Sequence, residues 1–257
     1  MKKVILTAMT GLMMAGQAFS ACPYTLDATQ AQISSIWSNG IKFPTISGQT
    51  VSFNATASTA SYEYEALNST FAQSMISAAP SGDAVTGNKV LPSSTTGTYA
   101  VEFKFDGLNS LVTGSQMMSM MSSITGTKNN ERVFYGWTVV DKNQNTITAM
   151  LIDTKGVKYY SKVVTINGTT NTEKVGWYIN QNTKQVGVVI NGVNQGYLAA
   201  ITETPAEVGV VMMAGYQGLT STSPYVGQTL SGTLITDGSQ MTQTYLTGTK
   251  DICGNTL

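Results

Sequence analysis

Histidine is absent from all 257 residues. That removes the commonest general base and metal ligand, and with it the Ser-His-Asp and Cys-His arrangements. The two cysteines, Cys22 and Cys253, stand near opposite ends of the chain, so a thiol nucleophile within a site is not expected. What is left for catalysis is a pair of carboxylates, the machinery of glycoside hydrolysis. A run of closely spaced acids in an E-x-D-x-x-E pattern does not occur. Glu63 and Glu65 fall in a stretch with helical spacing, and Glu102 and Asp106 alternate with Lys104 along a strand pattern; both pairs read as solvated surface. The segment Asp141-Lys-Asn-Gln-Asn145 starts like a calcium loop, with oxygen-bearing side chains at alternate positions. Thr146 and Ile152 occupy the places of that loop's glycine and terminal glutamate, so a hairpin turn is the reading. No catalytic residue, metal or cofactor is assigned, and the chain reads as a non-enzyme.

Aromatic rings are then the remaining means of holding a ligand, since they stack on flat apolar surfaces such as sugar rings. Tyr160 lies between Lys158 and Lys162 at an outward strand position. Along Lys174–Asn180, Val175, Trp177 and Ile179 share one face, which puts Trp177 in the core and Tyr178 outside. Tyr216 follows the end of a strand pattern. With Asn180 in the adjoining turn, the candidate ligand contacts are Tyr160, Tyr178, Asn180 and Tyr216. By the same alternation Trp137 groups with Val133, Tyr135 and Val139 and goes to the core. The chain holds 14 basic and 14 acidic residues and only 11% charged residues. It has no basic stripe to meet phosphates, so nucleic acid is not a partner.

The elements that position these residues are mostly strands. Tyr99–Asp106 alternates strictly, with Tyr99, Val101, Phe103 and Phe105 on one face. Further strands are predicted at Arg132–Val140, Thr146–Asp153, Lys158–Ile166, Lys174–Asn180, Gln185–Ile190, Glu207–Gly215, Thr229–Ile235 and Thr242–Leu246. Their separators, among them Asp141–Asn145, Asn180–Asn182 and Asn191-Gly192, are turn-formers. Before them, Asp27–Trp37 reads as a helix capped by Asp27, and Glu63–Ala78 as a second, stopped by Pro80-Ser81-Gly82. Ser81–Gly97 reads as a long surface loop. The methionine-rich Gln116–Ser123 (QMMSMMSS) is read as pliable core filler or a short helix, with a hydrophobic recognition patch as the other reading.

Residues 1–20 follow the plan of a bacterial signal peptide: Lys2 and Lys3, an apolar run from Val4 to Ala15, and Ala18-Phe19-Ser20 as the cleavage site. No later segment has the ~20 apolar residues of a transmembrane helix. The mature chain, 21–257, reads as a single β-sandwich domain, exported to the periplasm, the cell surface or the medium. In an oxidising compartment Cys22 and Cys253 read as one disulfide that brings the chain ends together. The competing reading takes Phe19-Ser20-Ala21-Cys22 as a lipobox with a lipidated Cys22.

The stretch Val175-Gly176 … Asn180 … Thr183 … Val186 … Asn191-Gly192-Val193 … Gln195-Gly196 resembles the paired-strand signature of SPRY and related concanavalin A-like sandwiches. Lys184 stands where that signature has glycine. The likeness covers residues 175–216 when the following strand is included. It implies a mostly β fold: an antiparallel two-sheet sandwich, or concanavalin A-like jelly roll, here with one or two short N-terminal helices. It also implies a glycan or peptide ligand held by edge loops or a concave sheet. The expected function is a lectin-like binding or adhesion module; a structural or assembly component of the envelope, and a glycoside-acting enzyme, are the alternatives.

Overall fold

The computed structural model describes residues 21–78, 84–108 and 117–257. The expected signal peptide and the helix stop at Pro80-Ser81-Gly82 lie outside them. Two eight-stranded sheets face each other. Sheet I runs in the order β1 (Gly40–Lys42), β4 (Tyr62–Leu67), β14 (Glu207–Gln217), β7 (Met117–Lys128), β8 (Glu131–Asp141), β9 (Thr146–Asp153) and β10 (Lys158–Thr165), with β5 (Lys89–Val90) beside β14. Sheet II runs β13 (Val193–Ala200), β12 (Gln185–Ile190), β11 (Thr172–Asn180), β6 (Thr98–Asp106), β15 (Thr229–Ile235), β3 (Thr50–Asn54) and β2 (Thr45–Ser47), with β16 (Thr249–Asp251) beside β6. The β1–β4 and β16–β6 pairs are parallel; the other ladders are antiparallel. The expected antiparallel sandwich is the observed fold. Eight of the nine predicted strands are present, with ends within two residues.

The main core lies between the sheets and is built from inward residues such as Phe53, Phe103, Phe105, Phe134, Trp177, Leu151 and Leu230. A second cluster covers part of sheet I's outer face. There Ile33 of α1 (Gln30–Ile36) and Phe71 of α2 (Ser69–Ala78) pack on Leu67 and Val211. Gly209 permits this, because a Cβ there would come within 2.5 Å of the Phe71 ring. On the far side, the segment after β15 folds over sheet II, so that Met241 and Tyr245 cover Tyr178, Ala100 and Val189.

Both helices begin later than the periodicity predicts. Thr29, not Asp27, caps α1, through a capping box with Gln32. Asp27 instead accepts from the Ser69 N–H at 2.7 Å, and Asn68 accepts from the N–H groups of Thr70 and Phe71. These two side chains start α2, so residues 63–67 of the expected helix belong to strand β4. The described part of the methionine-rich segment is not a helix but the start of β7, between β14 and β8, and its Met118 and Met120 fill the main core as the filler reading expects. Thr242–Leu246 forms no strand. Its backbone is held instead by Glu102, which accepts from Thr242 N (3.0 Å), Thr242 Oγ1 (2.7 Å) and Gln243 N (3.2 Å). Glu102 is therefore fully buried rather than solvated, because the C-terminal segment covers its face of the sheet.

Cys22 and Cys253 form a disulfide with Cα atoms 5.6 Å apart. The Cys22 sulfur is thus bonded to Cys253, which excludes the lipidated alternative. Asp251, fully buried, gathers the C-terminal turn by accepting from the N–H groups of Gly238, Cys253 and Asn255. The bridge closes 231 residues, which removes about 5 kcal/mol of unfolded-chain entropy.

Candidate functional site

The four residues singled out in the sequence do not come together. Tyr178 is 1% exposed, covered by Met241 and Tyr245, with its hydroxyl donating to Asn194 Oδ1 at 3.1 Å. Tyr216 lies inside β14, not after it, and is 2% exposed. It stacks on Phe53 (5.7 Å) and Tyr62 (4.9 Å) between the sheets. Tyr160 turns inward and packs against the core. Asn180 holds the β11–β12 turn, accepting from Thr183 N at 3.1 Å and donating to the Tyr197 hydroxyl at 2.6 Å. Alternation was sound, but its phase, and the presence of a covering segment, were not readable from one strand at a time.

The same phase error hides the surface that is open. On β8 the core face is Phe134, Gly136, Thr138 and Val140, so Tyr135, Trp137 and Val139 point away from sheet II. Trp177 fixes that phase: Gly136 faces it, and a Cβ there would lie 3.0 Å from the indole. The ladder registers carry the outward face across the sheet. Val211, Ser123, Trp137, Met150 and Ser161 form one row, and Gly209, Thr125, Tyr135, Ile152 and Tyr159 the next. Tyr135 and Trp137 stack at 5.2 Å, and the Arg132 guanidinium sits 5.8 Å from the Tyr135 ring. Burial pushes the Tyr135 hydroxyl up, with Ser123 and Arg132 opposing the shift. Tyr159, on the edge strand, is 73% exposed. Trp137, Met150, Tyr159 and Ser161 thus line a shallow shelf of about 220 Å³, and the half-buried Tyr160 reaches it as well.

Beside the shelf, helices α1 and α2 leave off and a groove of about 420 Å³ opens on the same face. Trp37, at the end of α1, forms its wall; Met117, Met121, Val139 and Met213 form its apolar floor. Met121 and Met213 are direct cross-strand partners, and Met213 in turn faces Glu65. Glu65 is 4% exposed and accepts from Ile41 N at 3.0 Å. Burial pushes its carboxyl up to about 7; the Ile41 hydrogen bond opposes the shift and the Glu63 charge adds to it. Glu63 and Glu65, expected on a solvated helix, are instead two positions apart on one face of β4.

A larger cleft, about 710 Å³, lies where the edge strand β10 approaches the β12–β13 hairpin. Its walls are aliphatic and amide side chains such as Ile166, Ile190, Asn167 and Gln195, and no aromatic ring of the described residues lines it. Beneath it Lys142, read as part of a surface turn, is fully buried and paired with Glu173. Lys142 also donates to Thr170 O at 3.0 Å and to Thr170 Oγ1 at 3.2 Å, and Asn191 Nδ2 donates to the other Glu173 oxygen. The turn itself is the expected hairpin, with Asn145 at a φ of 52°. Cys22, Asp251 and Cys253 are the one group of potential metal ligands among the described residues, and both of its sulfurs are spent in the disulfide.

Two facing sheets, a core between them and mostly antiparallel ladders define a two-sheet β-sandwich. The chain belongs to the family described as Domain of unknown function (DUF4882), whose model matches residues 2–255. No curated protein sequence matches it. Among solved structures it is similar to a heptameric SAP-like pentraxin from Limulus polyphemus, at 12% identity and a TM-score of 0.33, over 57% of this chain and 65% of that one. It is similar also to a Bacillus licheniformis β-glucanase (12% identity, TM-score 0.33, 54% of this chain and 64% of that one). A third is an endo-1,3-β-glucanase from Streptomyces sioyaensis (11% identity, TM-score 0.42, 58% and 67%). The match spans less than two thirds of the first two chains. These are likenesses of strand arrangement. The SPRY-like residues 175–216 correspond here to hairpins: β11 and β12 joined by residues 181–184, then β12 and β13 joined by Asn191 and Gly192 with φ of 49° and 81°.

Proposed function

We propose that this protein is an exported, non-catalytic module that binds a glycan along the uncovered outer face of sheet I. The observation that carries the proposal is the shelf, where Trp137 of β8, with Tyr135 stacked beside it, and Tyr159 of β10 flank β9, next to a groove bearing carboxylates and Trp37. Aromatic rings on a sheet face offer contact area at little conformational cost, and neighbouring carboxylates and hydroxyls can accept from sugar hydroxyls. Export is supported by the signal-peptide pattern and the disulfide; no helix among the described residues is long and apolar enough to cross a membrane. A glycan array probed with the mature protein tests the reading, and silence across the array would end it.

One observation favours a second reading, glycoside hydrolysis. Glu63 and Glu65 share a face about 7 Å apart along the strand, near the separation glycosidase carboxyl pairs use, and Glu65 is pushed up to about 7, as a general acid needs. Against it, Glu65 Oε2 is tied to the backbone of β1. Release of reducing ends from an array-positive glycan, abolished by Glu65→Gln, would establish hydrolysis; an intact glycan after long incubation would dismiss it.

A further inference from the structure

Among the described residues, three carboxylates line the groove of sheet I, namely Glu63, Glu65 and Asp141, and no lysine or arginine lines it. In a chain with equal numbers of basic and acidic residues, this is a local excess of one sign. The ladders place Glu63 in line with Gly215, Ser119 and Asp141. The two end carboxylates therefore stand about 14 Å apart on one face, three strand spacings. Between them the floor is low, because Gly215 has no side chain and Ser119 a short one. Trp37 supplies an aromatic face and Met117, Met121 and Met213 supply polarizable thioethers, surroundings that suit a cation. The neighbouring cations lie outside the groove: Lys42 on β1 acts on Asp27, and Arg132 lies over Tyr135 at the shelf's far end.

We infer that the groove is an ammonium subsite, and that the ligand of this face is a glycan bearing free amino groups, as a de-N-acetylated amino-sugar polymer does. The inference rests on the glycan reading above and narrows it. An N-acetyl group would carry no charge to meet Glu63 and Asp141, and an anionic sugar would be repelled by them. Screening by salt should weaken the preference, because the groove is open to solvent.

The test is calorimetric titration of the mature protein with matched oligomers of glucosamine and of N-acetylglucosamine, in slightly acidic, low-salt buffer. The glucosamine oligomer is expected to bind about tenfold tighter, since two partly exposed ion pairs contribute at that scale. The ratio should shrink with added salt and fall toward one in Glu63→Gln/Asp141→Asn, with Glu63→Gln alone intermediate. Equal affinities in the wild type would overturn the inference and leave the glycan reading standing. A preference that survives the double substitution would also overturn it, as adsorption by overall charge. Binding of neither oligomer while another glycan binds overturns it too; a glycan array silent throughout ends the parent reading instead.

Discussion

Lys142 and Glu173 link the β8–β9 turn of sheet I to β11 of sheet II, with both side chains fully buried. Replacing Lys142 by methionine keeps much of the stem's volume but leaves the Glu173 carboxylate with only Thr170 and Asn191 for partners. An uncompensated buried charge costs about 3–5 kcal/mol. For a domain of this size each kcal/mol lowers Tm by about 2–4 °C, so Lys142→Met should melt about 6–20 °C below wild type. Removing both charges, in Lys142→Met/Glu173→Leu, should recover most of that loss, because buried pairs repay little more than their own desolvation. Differential scanning calorimetry of the three proteins reads the outcome. A single-variant loss under about 1 kcal/mol would match a solvated pair and refute the buried placement of Lys142.

Other outcomes follow from the same packing. Reduction of the disulfide, or Cys253→Ser, should cost up to about 5 kcal/mol and lower Tm strongly; an unchanged melting curve would show that the ends are held without it. Gly187→Ala should destabilise by about 1–3 kcal/mol, since its Cβ would fall 2.2 Å from the Tyr178 ring. A neutral effect there would place Tyr178 outside, as its alternation alone implies. Glu65 has a folded pKa raised from 4.5 to about 7, so the folded state holds the extra proton and this group's contribution to stability falls as pH rises through that window. Glu65→Gln should flatten that slope in pH-dependent urea unfolding; a slope unaltered by the substitution would remove the burial account.

Much of the fold was legible because its strands announce themselves. Tyr99–Asp106 and Gln185–Ile190 carry apolar residues at period two or in short runs, and Asn191-Gly192 marks its hairpin by residue type alone. The strands that were missed lack that signal. β7 opens with methionines and serines, which suit helix, strand or filler equally, and β13 (Val193-Asn-Gln-Gly-Tyr-Leu-Ala-Ala) is a polar edge whose side chains are mostly exposed. The site was legible in kind, as aromatic side chains on a strand face, but not in place. Trp137 and Tyr160 were assigned by alternation within one strand, and the face that alternation points to depends on which neighbour buries it. Gly136 beneath Trp177 decides the first case, and packing of Tyr160 on the core decides the second. Tyr178 and Glu102 were misplaced for another reason. Residues 241–245 cover sheet II from a distance in sequence, and no local pattern records such a cover.

The claim that the outer face of sheet I binds a glycan is tested most directly by one array experiment on the mature protein and its Trp137→Ala variant, with melting curves matched beforehand. Wild-type protein should bind a defined set of glycans, and loss of the indole should weaken every one by about thirtyfold, the effect of removing a central aromatic contact worth about 2 kcal/mol. Undiminished binding by the variant, or an array on which the wild type binds nothing, would contradict it.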